Sequence, residues 1–359
     1  MGRVPPVLSE RSPSIFGVDF DPDERADAVA KKLNNLSSPA PGFRDPYEGL
    51  LAHLPDALKG SAIGRMPVDD WLRSRPRSAE MVSIENYAIF IDVDGCRDYA
   101  SSVSRFLERL PEGSLPLMIG VDHSSTGGAL MALCKRFGKD EVLVLVLDSH
   151  LDAIPTSVRF GLIHYDLEKN PKTRFKRSDP FIWDRPDSYN ADSFLYSLIG
   201  EGIIEPRNLV VAGVCDSPPD SARGIEDERV QRFLELRDGL ARRGVRIVAG
   251  EGLRSGLGEL EAALMGSDAQ FLYVSFDADV GSNSALRGSR FADTVGLGEG
   301  EIYAVAKLIG KAIREGGLRL VGLDVMETDV YKAGLEGPRG ISDKTYEVEA
   351  NFLSMILDA

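Results

Sequence analysis

The sequence predicts an α/β protein, with three α/β/α layers built on a mostly parallel sheet of about eight strands. Three observations predict it. Eight short apolar runs recur along the chain: SIFGVDF, NYAIFIDVDG, LPLMIGVDH, EVLVLVLDSH, NLVVAGVC, VRIVAGEG, FLYVSFDAD and LRLVGLDVME. Continuous Val/Ile/Leu runs of this length are what strands buried on both faces look like. Stretches of helical periodicity separate them, and an alternating order of strand and helix implies right-handed crossovers and a doubly wound sheet.

The helix candidates run over 100–110, 127–137, 227–243 and 300–315. In the last, Ile302, Val305, Ile309 and Ile313 recur at helical spacing and supply one core-facing stripe. With 359 residues, 43% of them hydrophobic, the chain is long enough for a large core. We expect a single domain over 1–359, with 21–85, rich in Pro, Gly, Ser and Arg, as an elaborated N-terminal segment that forms a lid or an interface.

Composition bounds the function. A net charge of −14, with no Lys/Arg-rich run interleaved with aromatics, speaks against nucleic acid as a partner. No run approaches the roughly 20 apolar residues that cross a bilayer, and MGRVPPVLSERSPS lacks the apolar core of a secretion signal. The expectation is a cytoplasmic protein with no membrane partner. Cys96, Cys134 and Cys215 form no CxxC pair and read as small buried hydrophobes, neither disulfide nor metal ligands.

In an open parallel sheet, ligands bind beyond the carboxyl ends of the strands. EVLVLVL is followed there by Asp148, His150 and Asp152, FLYVSF by Asp277 and Asp279, and LPLMIG by Asp122 and His123. At i, i+2 and i+4 after a strand, extended backbone turns such side chains to one side. A lone Asp closing a strand usually caps the next helix, and DxD by itself carries little. Three ionisable groups in five residues after an unbroken apolar run, however, would leave buried charge uncompensated without a cation. The mixture of carboxylates and imidazoles suits two divalent ions such as Mn²⁺, which together activate a water. Of the four histidines, His53 reads as surface or packing, and His164, on the segment leaving the metal loop, as a proton shuttle or a structural histidine.

GVDHS, DSHLD and SFDAD, in this order, resemble the signatures GGDHS, DAHxD and SxDxD of the ureohydrolases, the family of arginase, agmatinase, guanidinobutyrase and formimidoylglutamase. The resemblance runs from about Leu115 to Asp329. It implies two Mn²⁺ per subunit, with Ni²⁺, Co²⁺ or Zn²⁺ as substitutes. His123, Asp148, Asp152 and Asp277 would hold one ion and Asp148, His150, Asp277 and Asp279 the other, with Asp148 and Asp277 bridging. It also implies Asp152 and His164 as proton carriers to the leaving amine, Glu327 of GLDVMETD as the carboxylate that pairs with a substrate guanidinium, and a homo-oligomer, trimer or hexamer. The partner is then a small guanidino or formimino substrate.

Departures from the family pattern surround the ligands. Val121 replaces Gly, Ser149 replaces Ala, no DP follows SFDAD, and Asp329 and Val330 stand where the family has Asn-Pro. The spacing of Gly288 and Gly296 is closer to formimidoylglutamase, yet neither that branch's substrate loop nor arginase's asparagine loop is recognisable. Agmatinase-like cleavage, in polyamine metabolism, is the reading taken. Two others stay open: IFIDVDGC resembles the DxDG motif of haloacid-dehalogenase phosphatases, with Asp92 as nucleophile and Asp94 beside it, and the chain is alternatively a non-catalytic member of the ureohydrolase fold.

Overall fold

The computed structural model describes residues 12–38, 45–173, 175–177, 185–292, 294–336 and 342–358. Residues 1–11, the stretch read for a secretion signal, and 39–44 of the N-terminal segment lie outside them.

Eight strands form one parallel sheet: β1 (Pro13–Val18), β2 (Ala62–Arg65), β3 (Leu115–Gly120), β4 (Val142–Leu147), β5 (Leu209–Val214), β6 (Arg246–Ala249), β7 (Phe271–Asp277) and β8 (Arg319–Met326). Their order across the sheet is β2-β1-β3-β8-β7-β4-β5-β6, and every pairing is parallel. Alternation along each strand divides the core in two. On β4, Leu143, Leu145 and Leu147 join the cluster under the helices Glu299–Arg314 and Thr345–Leu357, while Val142, Val144 and Val146 join the one under Gly95–Leu107 and Thr126–Phe137. The result is the three-layer arrangement.

One strand was misplaced by sequence. NYAIFIDVDG is not a strand: it lies on the helix Ile84–Asp92, capped by Ser83 Oγ, which accepts the Asn86 N–H at 3.2 Å. Tyr87, Ala88 and Ile91 are buried at helical spacing, whereas Ile89 and Val93 are exposed, so the run is apolar all round and hides its period. The eighth strand is β2, from inside the N-terminal segment, where it forms the sheet edge beside β1. AIGR is short and none of its residues is buried, so it offered no apolar signal.

The strands that matter for chemistry, β3, β8, β7 and β4, are neighbours at the centre of the sheet. Although β3 and β4 are consecutive in the chain, β8 and β7 lie between them, which brings four carboxyl ends to one place.

Candidate metal centre

Each of these strands ends and hands its next residues to the same edge. After β3 the backbone turns at Asp122, whose Oδ1 accepts the Ser124 N–H at 3.1 Å, and His123 begins a short 3₁₀ turn. After β4, Asp148 Oδ1 accepts the His150 N–H at 2.6 Å, and Asp152 sits at φ 49°, a strained value for a side chain with a Cβ. At the end of β7, Asp277 Oδ1 accepts the Asp279 N–H at 2.8 Å. Such short-range side-chain bonds are how Asp stabilises a tight turn, and here they fix the direction of each carboxylate.

Two groups of ligand atoms result. His123, Asp148, Asp152 and Asp277 form one; Asp148, His150 and Asp279 form the other; in each the atoms lie within 4.8 Å of one another and every residue is buried. Nδ1 of His123 lies 3.2 Å from Asp148, 2.8 Å from Asp152 and 2.9 Å from Asp277. Nδ1 of His150 lies 2.6 Å from Asp279 Oδ2. Asp148 belongs to both groups, as expected of a bridging residue; Asp277 belongs to the first only.

The electrostatics follow from burying four carboxylates together. Burial raises the Asp277 carboxyl well above its ordinary range, and Asp279 and Asp148 push it the same way. Asp152 is raised well above it too, by burial and then by Asp148. Asp148 moves the other way: burial would raise it, but the two imidazoles hold it below the usual carboxylate range. For His123, burial would lower the pKa, yet the three facing carboxylates hold it well above normal. His123 Nδ1 and Asp148 Oδ2 are buried atoms with no hydrogen bond. At His123, an imidazole nitrogen on which three carboxylates converge without taking a hydrogen bond from it fits a divalent cation.

A supporting layer that sequence reading missed orients the first histidine. Ser275 Oγ lies 2.9 Å from His123 Nε2 and donates to Asp324 Oδ1 at 2.5 Å. Asp324 Oδ2 accepts from Thr126 Oγ1 at 2.7 Å and from the Tyr273 hydroxyl. With Nε2 engaged, Nδ1 is the nitrogen turned to the carboxylates, the usual arrangement for a ligating imidazole. The one available signal was the Ser of SFDAD.

A cleft of about 260 Å³ lies over the ligands, bounded by His150, Asp152, Asp277, Asp279 and Glu327 within and by Arg159, Asp192 and Phe291 outside. Those three also line a larger cleft of about 680 Å³ that carries Arg25, Arg185 and Arg290. Arg159 and Asp192 pair at 3.0 Å. Glu327, at φ 60°, follows β8 and accepts the His123 N–H at 2.9 Å on Oε1. Burial pushes its carboxyl up to about 8, against the Arg290 guanidinium, which pulls it down.

His164 does not line the cleft over the ligands. It lies on the helix Thr156–Lys169, partly buried, and is not among the residues lining either cleft; Thr156, Arg159 and Phe160 from the start of that helix are. Asp92 does not close a strand: it ends a helix and pairs with Arg185 at 2.7 Å, which removes the basis for a phosphatase nucleophile there. His53 bonds the Gly49 carbonyl at 2.9 Å and stacks on Tyr346. Cys96 and Cys134 are buried as expected, whereas Cys215 is only partly so. Among the described residues, no helix is long and apolar enough to cross a membrane.

A family model described as the arginase family matches residues 53–332. An agmatinase from Chromobacterium violaceum is 26% identical over 218 residues, which cover 61% of this chain and 51% of that protein. The chain therefore spans about half the length of this curated relative. Among solved structures, proclavaminate amidino hydrolase from Streptomyces clavuligerus aligns with a TM-score of 0.56 at 17% identity, covering 99% of this chain and 96% of that one. Arginase from Bacillus caldovelox gives 0.55 at 16%, covering 97% and 99%. Formimidoylglutamase from Bacillus subtilis gives 0.56 at 16%, covering 99% and 92%. At these identities the structural likeness establishes the fold.

Proposed function

Because the chain belongs to the arginase family, we propose that it is a metal-dependent hydrolase that cleaves the C–N bond of a linear amidine, converting a guanidino compound and water to urea and an amine. The observation that carries the reading is the convergence of His123, Asp148, Asp152, Asp277, His150 and Asp279 into two groups that share Asp148. Two Mn²⁺ held there would supply Lewis acidity and a water acidified toward neutrality.

The chain's own residues supply the rest. Asp152, on the cleft wall with an oxygen 2.8 Å from His123 Nδ1, is assigned the proton that passes to the leaving nitrogen. Glu327 is assigned to the amidinium, Phe291 to excluding water above it, and the Arg159–Asp192 pair to the substrate's outer end. Agmatine stands first among substrates, supported by the agmatinase relative and by the absence of arginase's asparagine loop. The reading extends to a cytoplasmic homo-oligomer, trimer or hexamer.

The test is a screen of the Mn²⁺-loaded protein against agmatine, arginine, guanidinobutyrate, guanidinopropionate, guanidine and formimidoylglutamate, measuring urea or formamide. Release from at least one, lost on chelation and restored by Mn²⁺, is expected. No release from any, with metal bound, would leave the non-catalytic reading in place.

A further inference from the structure

We propose that Arg290 is a specificity-determining residue: it engages Glu327 with a guanidinium supplied by the chain itself, so that a substrate guanidinium reaches that carboxylate only in competition with it. The proposal rests on the hydrolytic reading above and concerns which electrophile that site prefers.

Glu327 has one oxygen engaged by the backbone of His123. The other, Oε2, is the one left for a cation, and Arg290 Nη1 stands 3.0 Å from it. This is not a transient surface contact. The Arg290 N–H donates to the Glu327 carbonyl at 2.8 Å, and Ser289 bridges Thr328, so the backbone that carries the guanidinium is fastened beside the carboxylate. The head group is buried as well: Nη1 donates to the Val121 carbonyl at 3.0 Å, and Nη2 donates to Asp21 at 2.9 Å and lies 3.1 Å from Asp23. A guanidinium fixed by several partners loses little entropy per bond and is slow to yield its place.

The pairing with Glu327 is nevertheless incomplete. Oε2 is buried and makes no directed hydrogen bond, so a positive charge stands beside it while the planar, two-point geometry that guanidinium and carboxylate favour is not formed. A substrate cation arriving in the cleft therefore meets a carboxyl already faced by a guanidinium, and gains less from it than from a free one. An electrophile uncharged at its reacting carbon loses nothing by the presence of Arg290. The resident guanidinium accordingly removes much of the preference for a cationic guanidino carbon over a neutral C–N group of the same shape, such as a ureido carbon.

Two ligands of the same shape, one with a guanidinium =NH₂⁺ where the other has a carbonyl oxygen, test it: agmatine and 4-ureidobutylamine, titrated calorimetrically against the Mn²⁺-loaded protein. For the unaltered protein we expect the two dissociation constants to agree within roughly ten-fold, since a free carboxylate would favour the cation by more than one charge-assisted bond. In Arg290→Met, agmatine is expected to bind roughly ten-fold tighter or more while the ureido compound stays within about three-fold. Should Arg290→Met fail to fold with its carboxylates facing one another, the double variant Arg290→Met/Asp21→Asn carries the same comparison. A preference of the unaltered protein for agmatine of roughly a hundred-fold overturns the proposal without any variant; so does unchanged or weaker agmatine binding in a folded Arg290→Met. Urea release is measured in parallel: its absence for every amidine removes the hydrolase reading, while the binding ratio still decides the role of Arg290.

Discussion

Ser275 Oγ stands 2.9 Å from His123 Nε2 and donates its own hydroxyl hydrogen bond to Asp324 at 2.5 Å, so a serine on β7 and an aspartate on β8 together set the direction of a ligand that follows β3. Outer partners of a ligating imidazole typically contribute 10- to 100-fold in metal affinity. Ser275→Ala and Asp324→Asn are each expected to weaken Mn²⁺ binding by roughly that range while leaving the fold intact. Calorimetric titration with Mn²⁺ checks this; unchanged affinity in both would deny the pair its orienting role.

Asp148 is the residue common to the two ligand groups, whereas Asp279 belongs to one. Asp148→Asn should therefore lose both ions and all activity, and Asp279→Asn should retain the ion at the His123 group. Asp277→Asn is expected to empty that group first. Elemental analysis after reconstitution and desalting gives the stoichiometry; activity surviving Asp148→Asn contradicts the shared role.

Metal binding should strengthen with pH. The carboxyls of Asp152 and Asp277 are raised well above the ordinary range by burial and by each other's neighbours, and His123 is held protonated by three carboxylates. A group whose folded pKa is raised stabilises the fold below its unfolded pKa and loses that contribution as pH rises through the folded value. The metal-free protein is thus expected to lose stability above the usual carboxylate range, and Mn²⁺, which displaces those protons, to restore it increasingly as pH rises. Melting temperatures with and without Mn²⁺ from pH 5 to about pH 9 measure the difference; an Mn²⁺ stabilisation that shrinks with pH would refute it.

Glu349 gives a second pH dependence, away from the ligands. It lies on the Thr345–Leu357 helix, fully buried, with Oε1 accepting from Thr328 Oγ1 at 2.8 Å and Oε2 without a hydrogen bond. Burial pushes its carboxyl from 4.5 up to about 8. Its contribution is therefore complete below pH 4.5 and is lost as pH rises through about 8. Glu349→Gln keeps the acceptor and never ionises, so at high pH it should be more stable than the unaltered protein, by on the order of 2 kcal/mol. Denaturant unfolding at acid and alkaline pH tests this; equal stability of the two proteins at alkaline pH would count against a buried neutral carboxyl.

Gly213, near the end of β5, has φ +107°, and a Cβ there would stand 2.6 Å from Val280 and 2.9 Å from the Asp148 carbonyl. Gly213→Ala combines backbone strain with a clash against the loop that carries Asp148, and is expected to cost about 1–3 kcal/mol and to weaken metal binding. Thermal denaturation and Mn²⁺ titration read the two effects; a neutral substitution would mean that the loop yields freely.

The sequence by itself determined seven of the eight strands and the residues that terminate them, because a strand buried on both faces must be a continuous apolar run and a carboxylate at its end cannot hide in that pattern. It also determined which residues could share a cation, since spacing of two after a strand keeps side chains on one side. Tertiary structure alone decided the remainder. The helix at Ile84–Asp92 was hidden because exposed Ile89 and Val93 erase its period, and edge strand β2 because it carries almost no buried surface. His164 was read at the site from its place after the metal loop; it lies on the helix Thr156–Lys169 and does not line the cleft. The Arg290–Glu327 pair joins loops that meet only because β8 lies between β3 and β7, and the Ser275–Asp324 pair spans two of those strands. Contacts of that kind depend on strand order, which local propensity does not encode and which the burial of the whole sheet selects.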